Sequence, residues 1–155
     1  MALLQVGDKA PEFELLDQNN NKVSLSNYSG QKLLIYFYPK ADTPGCTTQS
    51  CSVRDAAEDL SSLNMSAVGI SPDQPDKQLK FDEKFNLGFP LLSDPDHEMA
   101  EAYGAWGEKK NYGKTYMGII RSSFLVDEEG KIAQAAYGVK PGDTVPKAKA
   151  AVETA

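Results

Sequence analysis

Apolar positions come along this chain in short blocks separated by polar stretches rich in glycine and proline. Leu33-Leu34-Ile35-Tyr36-Phe37-Tyr38 is a continuous apolar run, short and rich in β-formers, and predicts a buried strand that Pro39 stops. Met65–Ile70 predicts a second strand, ending in the turn Ser71-Pro72-Asp73. Between them Val53, Ala56, Ala57, Leu60 and Leu63 recur at helical spacing, so one helix is expected from about Cys46 to Leu63. This strand–helix–strand series predicts a right-handed crossover and a parallel central pair. Before it, Pro11–Leu16 and Lys22–Leu25 read as short strands around Asp17–Asn21, followed by a helical turn over Ser26–Gly30. After it come a helix over Pro75–Phe85 with Pro at its start, a short buried segment at Phe89–Ser93, and a short acid-capped helix over Asp96–Tyr103. Gly107–Gly118 is polar and reads as a loop. Ile119–Asp127 and Lys131–Tyr137 predict a hairpin around Glu128-Glu129-Gly130, and Val145–Ala155 a short Ala-rich helix.

The whole predicts an α/β protein, a central mixed β-sheet flanked by helices with a cysteine at a strand–helix turn, which fits a thioredoxin-like fold. At 155 residues the simplest organisation is a single domain over 1–155. Hydrophobic residues make up 41% and charged residues 25%, as in ordinary globular chains. The net charge of −6 argues against nucleic acid or an anionic membrane as partner. The start, MALLQVGDKAPEF, has neither the basic region nor the apolar core of a signal peptide, and no run approaches the roughly 20 apolar residues of a membrane helix. Two cysteines do not make a secreted disulfide scaffold, so a cytoplasmic enzyme with reduced thiols is expected. His97 is the single histidine; with Cys46 and Cys51 it would give three ligands at best, and Cys-x4-Cys is a poor zinc spacing. No metal or other cofactor is expected.

The two cysteines carry the candidate chemistry. Asp42-Thr43-Pro44-Gly45 is a turn, which puts Cys46 in the first turn of the following helix. Free backbone N–H groups and the helix dipole there favour a thiolate, the nucleophilic form of Cys. Cys46 lies seven residues before Val53, on the buried side. Cys51 lies two residues before Val53, about 200° around the axis, and is expected on the wet face, where a free Cys is unusual. Cα atoms five apart in an ideal helix are roughly 8–9 Å from each other and point apart, whereas a disulfide needs them within about 7 Å. A Cys46–Cys51 bond would therefore require the first turns of the helix to unwind.

The run Pro39-x-x-x-Thr43-x-x-Cys46 resembles the active-site signature of peroxiredoxins, and the second Cys five residues on resembles the bacterioferritin-comigratory-protein or peroxiredoxin Q branch. GDKAPEFELLDQNNNKVSL, VGISPD, FPLLSDPDHEMAEAYGAWGEK and GKTYMGIIRSSFLVDEEGKI carry the resemblance further, over residues 6 to 135. It implies the same thioredoxin-like fold and a thiol peroxidase acting on hydrogen peroxide and organic hydroperoxides. Cys46 would become a sulfenic acid, Cys51 would condense with it to an intramolecular disulfide, and thioredoxin or a similar dithiol reductant would recycle it. Its wet-face position would make Cys51 the sulfur the reductant attacks first. The branch leans to a monomer. Thr43 could cap the helix; by resemblance its hydroxyl also bonds the peroxide. Pro39 could merely end the strand; by resemblance it also walls the pocket. Arg121, inside the run Ile119–Phe124, reads by pattern as an exposed side chain. The resemblance puts it beside the sulfur, where its charge would favour the thiolate and its N–H groups would hold the peroxide.

Two rival readings follow from the residues. A thioredoxin-type disulfide oxidoreductase expects Cys-x-x-Cys, and the spacing here is wider. A redox-sensing binding module would use the oxidised helix as its switch. Arg54 and Asp55 read as a helix-surface pair; Tyr103 and Trp106 could line a substrate mouth but read first as partly buried packing residues.

Overall fold

The computed structural model describes residues 4–111 and 113–153. Its organising element is the strand β3 (Lys32–Phe37), whose last five residues are all buried. Leu33, Ile35 and Phe37 point into one core and Leu34 and Tyr36 into another, so period two splits a continuous apolar run between two faces. β4 (Met65–Ser71) pairs with β3 in parallel and β8 (Ser122–Val126) pairs with its other edge antiparallel. β1 (Glu14–Leu16), β2 (Lys22–Ser24), β5 (Leu91–Ser93) and β9 (Ile132–Tyr137) complete a mixed sheet in the order β2-β1-β5-β4-β3-β8-β9. The helices are α1 (Pro44–Asp55), α2 (Ala57–Ser62), α3 (Pro75–Phe85), α4 (Glu98–Ala102) and α5 (Thr144–Glu153).

The two cores differ in what covers the sheet. Leu34, Tyr36 and Tyr38 meet Cys46 and Val53 of α1, Leu60 of α2, Phe81 of α3 and Ala148 of α5. Leu33, Ile35 and Phe37 meet the N-terminal segment through Ala10 and Phe13, and Met99 and Ala100 of α4. Tyr103 is fully buried and its hydroxyl donates to the Pro11 carbonyl at 2.7 Å. Trp106 is half-buried and stacks on His97 with centroids 3.8 Å apart. Both are the packing residues their sequence positions suggest.

One buried polar knot ties α3 to the sheet. Gln78 has no exposed surface; its amide donates to Ser71 Oγ (3.0 Å) and to the Leu92 carbonyl (2.9 Å), and its Oε1 accepts from the Tyr38 hydroxyl. Gln78→Leu keeps the volume but strands the hydroxyl and the carbonyl. The expected cost is about 3 kcal/mol, read as a lower denaturant midpoint at unchanged slope.

Several elements differ from the sequence reading. Gly107–Gly118 is not a loop: β6 (Trp106–Asn111) and β7 (Lys114–Ile119) form a two-stranded sheet of their own. Most of β7 is exposed, so no apolar face demanded an alternating pattern. Ile119 accordingly ends β7 instead of opening the hairpin with β9, and Ile120 and Arg121 form the break before β8. The helix expected to Leu63 divides at Ala56. There Ser52 Oγ donates back to the Gln49 carbonyl at 2.7 Å, a bond that competes with the helical ladder just before the break. As a result Val53 and Leu60 are buried while Ala57 is exposed. α4 starts at Glu98 with His97 at its N-cap position, and the acid that serves its first turn is Asp94, buried and accepting from the amides of Met99 and Ala100, instead of Asp96. The C-terminal helix begins at Thr144 and is described to Glu153; Thr154 and Ala155 lie outside the described residues.

Candidate active site

Parallel pairing of β3 with β4 extends through the Tyr38 amide, which donates to the Ile70 carbonyl at 2.9 Å. Pro39, with no N–H to donate, ends the ladder and stands half-buried at the head of the loop. Two carboxylates hold that loop. Asp73 Oδ2, just past β4, accepts from the Ala41 amide at 2.7 Å. Asp42, in the left-handed region at φ 62°, pairs with Lys84 of α3 at 2.9 Å.

Thr43 is the N-cap residue of α1 by position, and its carbonyl accepts the Thr47 amide at 2.8 Å. Its side chain does not cap. The hydroxyl donates to the Lys40 carbonyl at 2.9 Å, so the capping role expected of the hydroxyl is not made. A hydroxyl whose proton is committed keeps its lone pairs as acceptors, and here they belong to the loop that ends in Cys46.

Cys46 is the third residue of α1, on its first turn, and is 1% exposed. Arg121 Nη2 lies 3.3 Å from its Sγ and donates to it. A guanidinium against sulfur at a helix N-terminus stabilises negative charge there. The two-residue break between β7 and β8 is what lets Arg121 turn inward, which a side chain on a regular exposed strand could not do. The break is held at both ends: the Ile120 amide donates to Ala105 O at 2.7 Å and Arg121 O accepts from the Val139 amide at 2.9 Å.

Sequence reasoning missed the support behind Arg121. Gln49, with no exposed surface, accepts from Arg121 Nη1 at 2.7 Å and donates from its amide to Thr144 Oγ1 at 2.9 Å. The guanidinium is thus fixed by α1 and, through Gln49, by the first residue of α5. The signal for Gln49 was its register: Cys46, Gln49, Ser50 and Val53 make the buried stripe of α1, and two of the four are polar. The second polar residue, Ser50, shares a 2.8 Å hydrogen bond with the Tyr36 hydroxyl. Burial pushes the Tyr36 hydroxyl far above the usual phenol range; the Ser50 bond opposes this, and the Cys46 and Cys51 sulfurs add to it. Tyr36 is a neutral wall beside both thiols. Lys109 of β6 is half-buried over the same region, its pKa lowered first by burial and then by the Arg121 charge.

Both cysteines are free thiols. The structure corrects the placement of Cys51: it is half-buried and packs on the edge of the cluster that contains Cys46. The end of α3 is tied to the next turn of α1. Arg54, on the next turn, donates from Nη1 to the Phe85 carbonyl at 2.6 Å and pairs with Asp55 at 2.9 Å. The wet-face ground for attack at Cys51 is therefore absent in the reduced form. Five sequence-predicted residues thus divide as follows. Arg121 meets Cys46 directly; Pro39 and Thr43 bracket the loop that delivers it; Cys51 sits farther along the same helix.

A sequence model of the AhpC/TSA family matches residues 6–135. Peroxiredoxin Bcp of Escherichia coli is 52% identical over 129 residues, 83% of each chain. Peroxiredoxin Bcp of Bacillus subtilis is 47% identical over 145 residues, 94% of this chain and 92% of the relative. Among solved structures, peroxiredoxin Q of Xanthomonas campestris superposes with a TM-score of 0.88 at 32% identity, covering 99% of this chain and 97% of that one. The bacterioferritin comigratory protein of the same organism, a structure concerned with its alkyl peroxide reduction activity, gives 0.87 at 31% identity, covering 99% and 98%.

Proposed function

This chain belongs to the AhpC/TSA family and is a thiol peroxidase of the peroxiredoxin Q type, and on that premise we propose how its own residues do the work. The observation that carries the proposal is the 3.3 Å contact of Arg121 Nη2 with a buried Cys46 sulfur at a helix start. Cys46 is the nucleophile. Its thiolate attacks one oxygen of ROOH, the O–O bond breaks, and RO⁻ leaves and takes a proton, giving the Cys46 sulfenic acid and an alcohol or water. Arg121 stabilises the thiolate before attack and the leaving oxygen during it. Thr43 accepts the peroxide O–H through the lone pairs left free by its bond to Lys40. Pro39 limits water at the sulfur.

Resolution falls to Cys51. Its thiol attacks the sulfenic sulfur, water departs, and a Cys46–Cys51 disulfide forms. Both residues lie inside α1, so the bond requires the helix to unwind between them. Hydrogen peroxide and organic hydroperoxides are the substrate class, and a thioredoxin-like dithiol protein returns the two electrons. One copy suffices, since a single helix carries both thiols, and the cytoplasm supplies the reductant. No helix among the described residues is long and apolar enough to cross a membrane.

Free-thiol titration before and after one equivalent of hydrogen peroxide tests this. Wild type is expected to lose both thiols within one chain, and Cys51→Ser to yield a trappable sulfenic acid. Two thiols that persist in wild type under dilute peroxide for minutes would remove Cys46 from the role.

A further inference from the structure

Beside the active-site loop lies a recess of about 430 Å³ floored by Phe81 and Ala41. Its rim is cationic in a chain of net charge −6. Lys77, Lys80 and Lys84 rise from one face of α3 at spacings of three and four, and Lys40 faces them from the loop. All four are exposed. The two carboxylates present are already engaged: Asp42 with Lys84, and Asp73 with the Ala41 amide and Ser71 Oγ. Among the described residues, Lys40, Lys77 and Lys80 have no carboxylate within ion-pair distance. Three uncompensated ammonium groups therefore surround a recess that shares Lys40, Ala41 and Asp42 with the loop running from Pro39 to Cys46.

We propose that this lysine-rimmed recess is the docking face for the dithiol protein that reduces the Cys46–Cys51 disulfide, and that this partner carries carboxylates around its dithiol. The inference rests on the peroxidase cycle above, which needs such a partner to reach α1. The shape of the charge favours a protein over a small anion. Lys77 to Lys84 covers roughly 10 Å of helix, the side chains are long and exposed, and among the described residues no buried cation lines the recess to fix one carboxylate or phosphate. Spread, exposed charge of this kind steers encounter and raises the on-rate without making the complex tight. That suits a partner that must leave after each turnover. In the step it serves, a partner thiolate attacks one sulfur of the disulfide and a mixed disulfide forms. The partner's second thiol then displaces it, leaving Cys46 and Cys51 reduced and the partner oxidised by two electrons.

The test uses Lys77→Glu/Lys80→Glu, both away from the reacting groups. Diamide-oxidised wild type and variant are reduced by a thioredoxin of net negative charge, and the second-order rate is followed at low and high salt. In parallel, peroxide turnover is measured with uncharged dithiothreitol. The expected result is a loss of about tenfold with thioredoxin at low salt, shrinking as salt screens the charges, and unchanged dithiothreitol turnover. Equal thioredoxin rates for the two proteins at low salt would overturn the proposal. So would an unchanged thioredoxin rate with a raised KM for a carboxylate-bearing hydroperoxide in dithiothreitol, which would make the recess a substrate subsite. Because the oxidant in the docking assay is diamide, failure of wild type to turn over peroxide with dithiothreitol would fall on the peroxidase reading alone.

Discussion

Arg121→Met should slow peroxide reduction by about 10²–10³-fold while the protein still folds. The size follows from what the guanidinium touches. One nitrogen lies on the nucleophilic sulfur at 3.3 Å and another on Gln49 at 2.7 Å, so the group is preorganised by a buried partner and spends nothing on reorientation as charge moves to the leaving oxygen. Removing one such donor from a water-poor site costs about 3–4 kcal/mol of barrier. The same change strands Gln49 Oε1, which has no exposed surface, so stability should fall by about 1–2 kcal/mol. Arg121→Lys separates the two effects. It restores charge but not the fork, because one ammonium cannot serve Gln49 and Cys46 in the same geometry. It should recover part of the rate and fall short of wild type by about tenfold. Competition for hydrogen peroxide against a reference peroxidase gives the second-order constant directly. A loss under fivefold in Arg121→Met, with the fold intact, would place Arg121 outside the reacting site.

Arg121 also marks where sequence reading ran out. Its neighbours Ile119 to Phe124 look like one strand, and pattern alone put the side chain in solvent. The structure breaks the run at Ile120 and Arg121 because the chain must pass from the small β6–β7 sheet to the main one, a tertiary demand with no local signature. Elements with an apolar face were legible: β3, β4 and α3 stand close to their expected positions. The β6–β7 hairpin was not, since its strands are held by backbone pairing and carry little buried surface. In the site, Cys46 was readable from the strand–turn–helix pattern, whereas Gln49 and Thr144 needed the fold. They are 95 positions apart and meet only because α5 packs against α1. Thr144 also lies beyond residue 135, where the family match ends. Part of the frame of this site thus comes from a segment beyond the residues that the family model matches.

Gly69→Ala should destabilise the protein by about 2–3 kcal/mol, although a strand interior ordinarily prefers alanine over glycine by roughly 0.5–1 kcal/mol. Gly69 pairs with Tyr36 across β4 and β3, and the Tyr36 ring lies over it. A Cβ at residue 69 would stand 2.7 Å from both Tyr36 Cζ and its hydroxyl oxygen, and 3.1 Å from the Tyr38 ring. A ring end can often swing away, but this one cannot do so cheaply. Tyr36 has no exposed surface, its hydroxyl is bonded to Ser50 of α1, and Tyr38 and Phe89 flank it at centroid distances of 5.7 and 6.2 Å. Through the Tyr36–Ser50 bond the strain reaches the helix that carries both cysteines. Thermal melts should show a midpoint lower by about 5–10 °C. In the reduced variant Cys51 should also alkylate faster than in wild type, because the helix that shelters it is pushed from beneath. Tyr36→Leu removes the ring end that collides, so the double variant Gly69→Ala/Tyr36→Leu should lose less than the sum of its parts by about 1 kcal/mol or more. Additive losses would mean that Gly69 is not there to admit Tyr36. A melting midpoint equal to wild type in the single variant would show that the ring moves freely, and that β4 is not coupled through Tyr36 to the active-site helix.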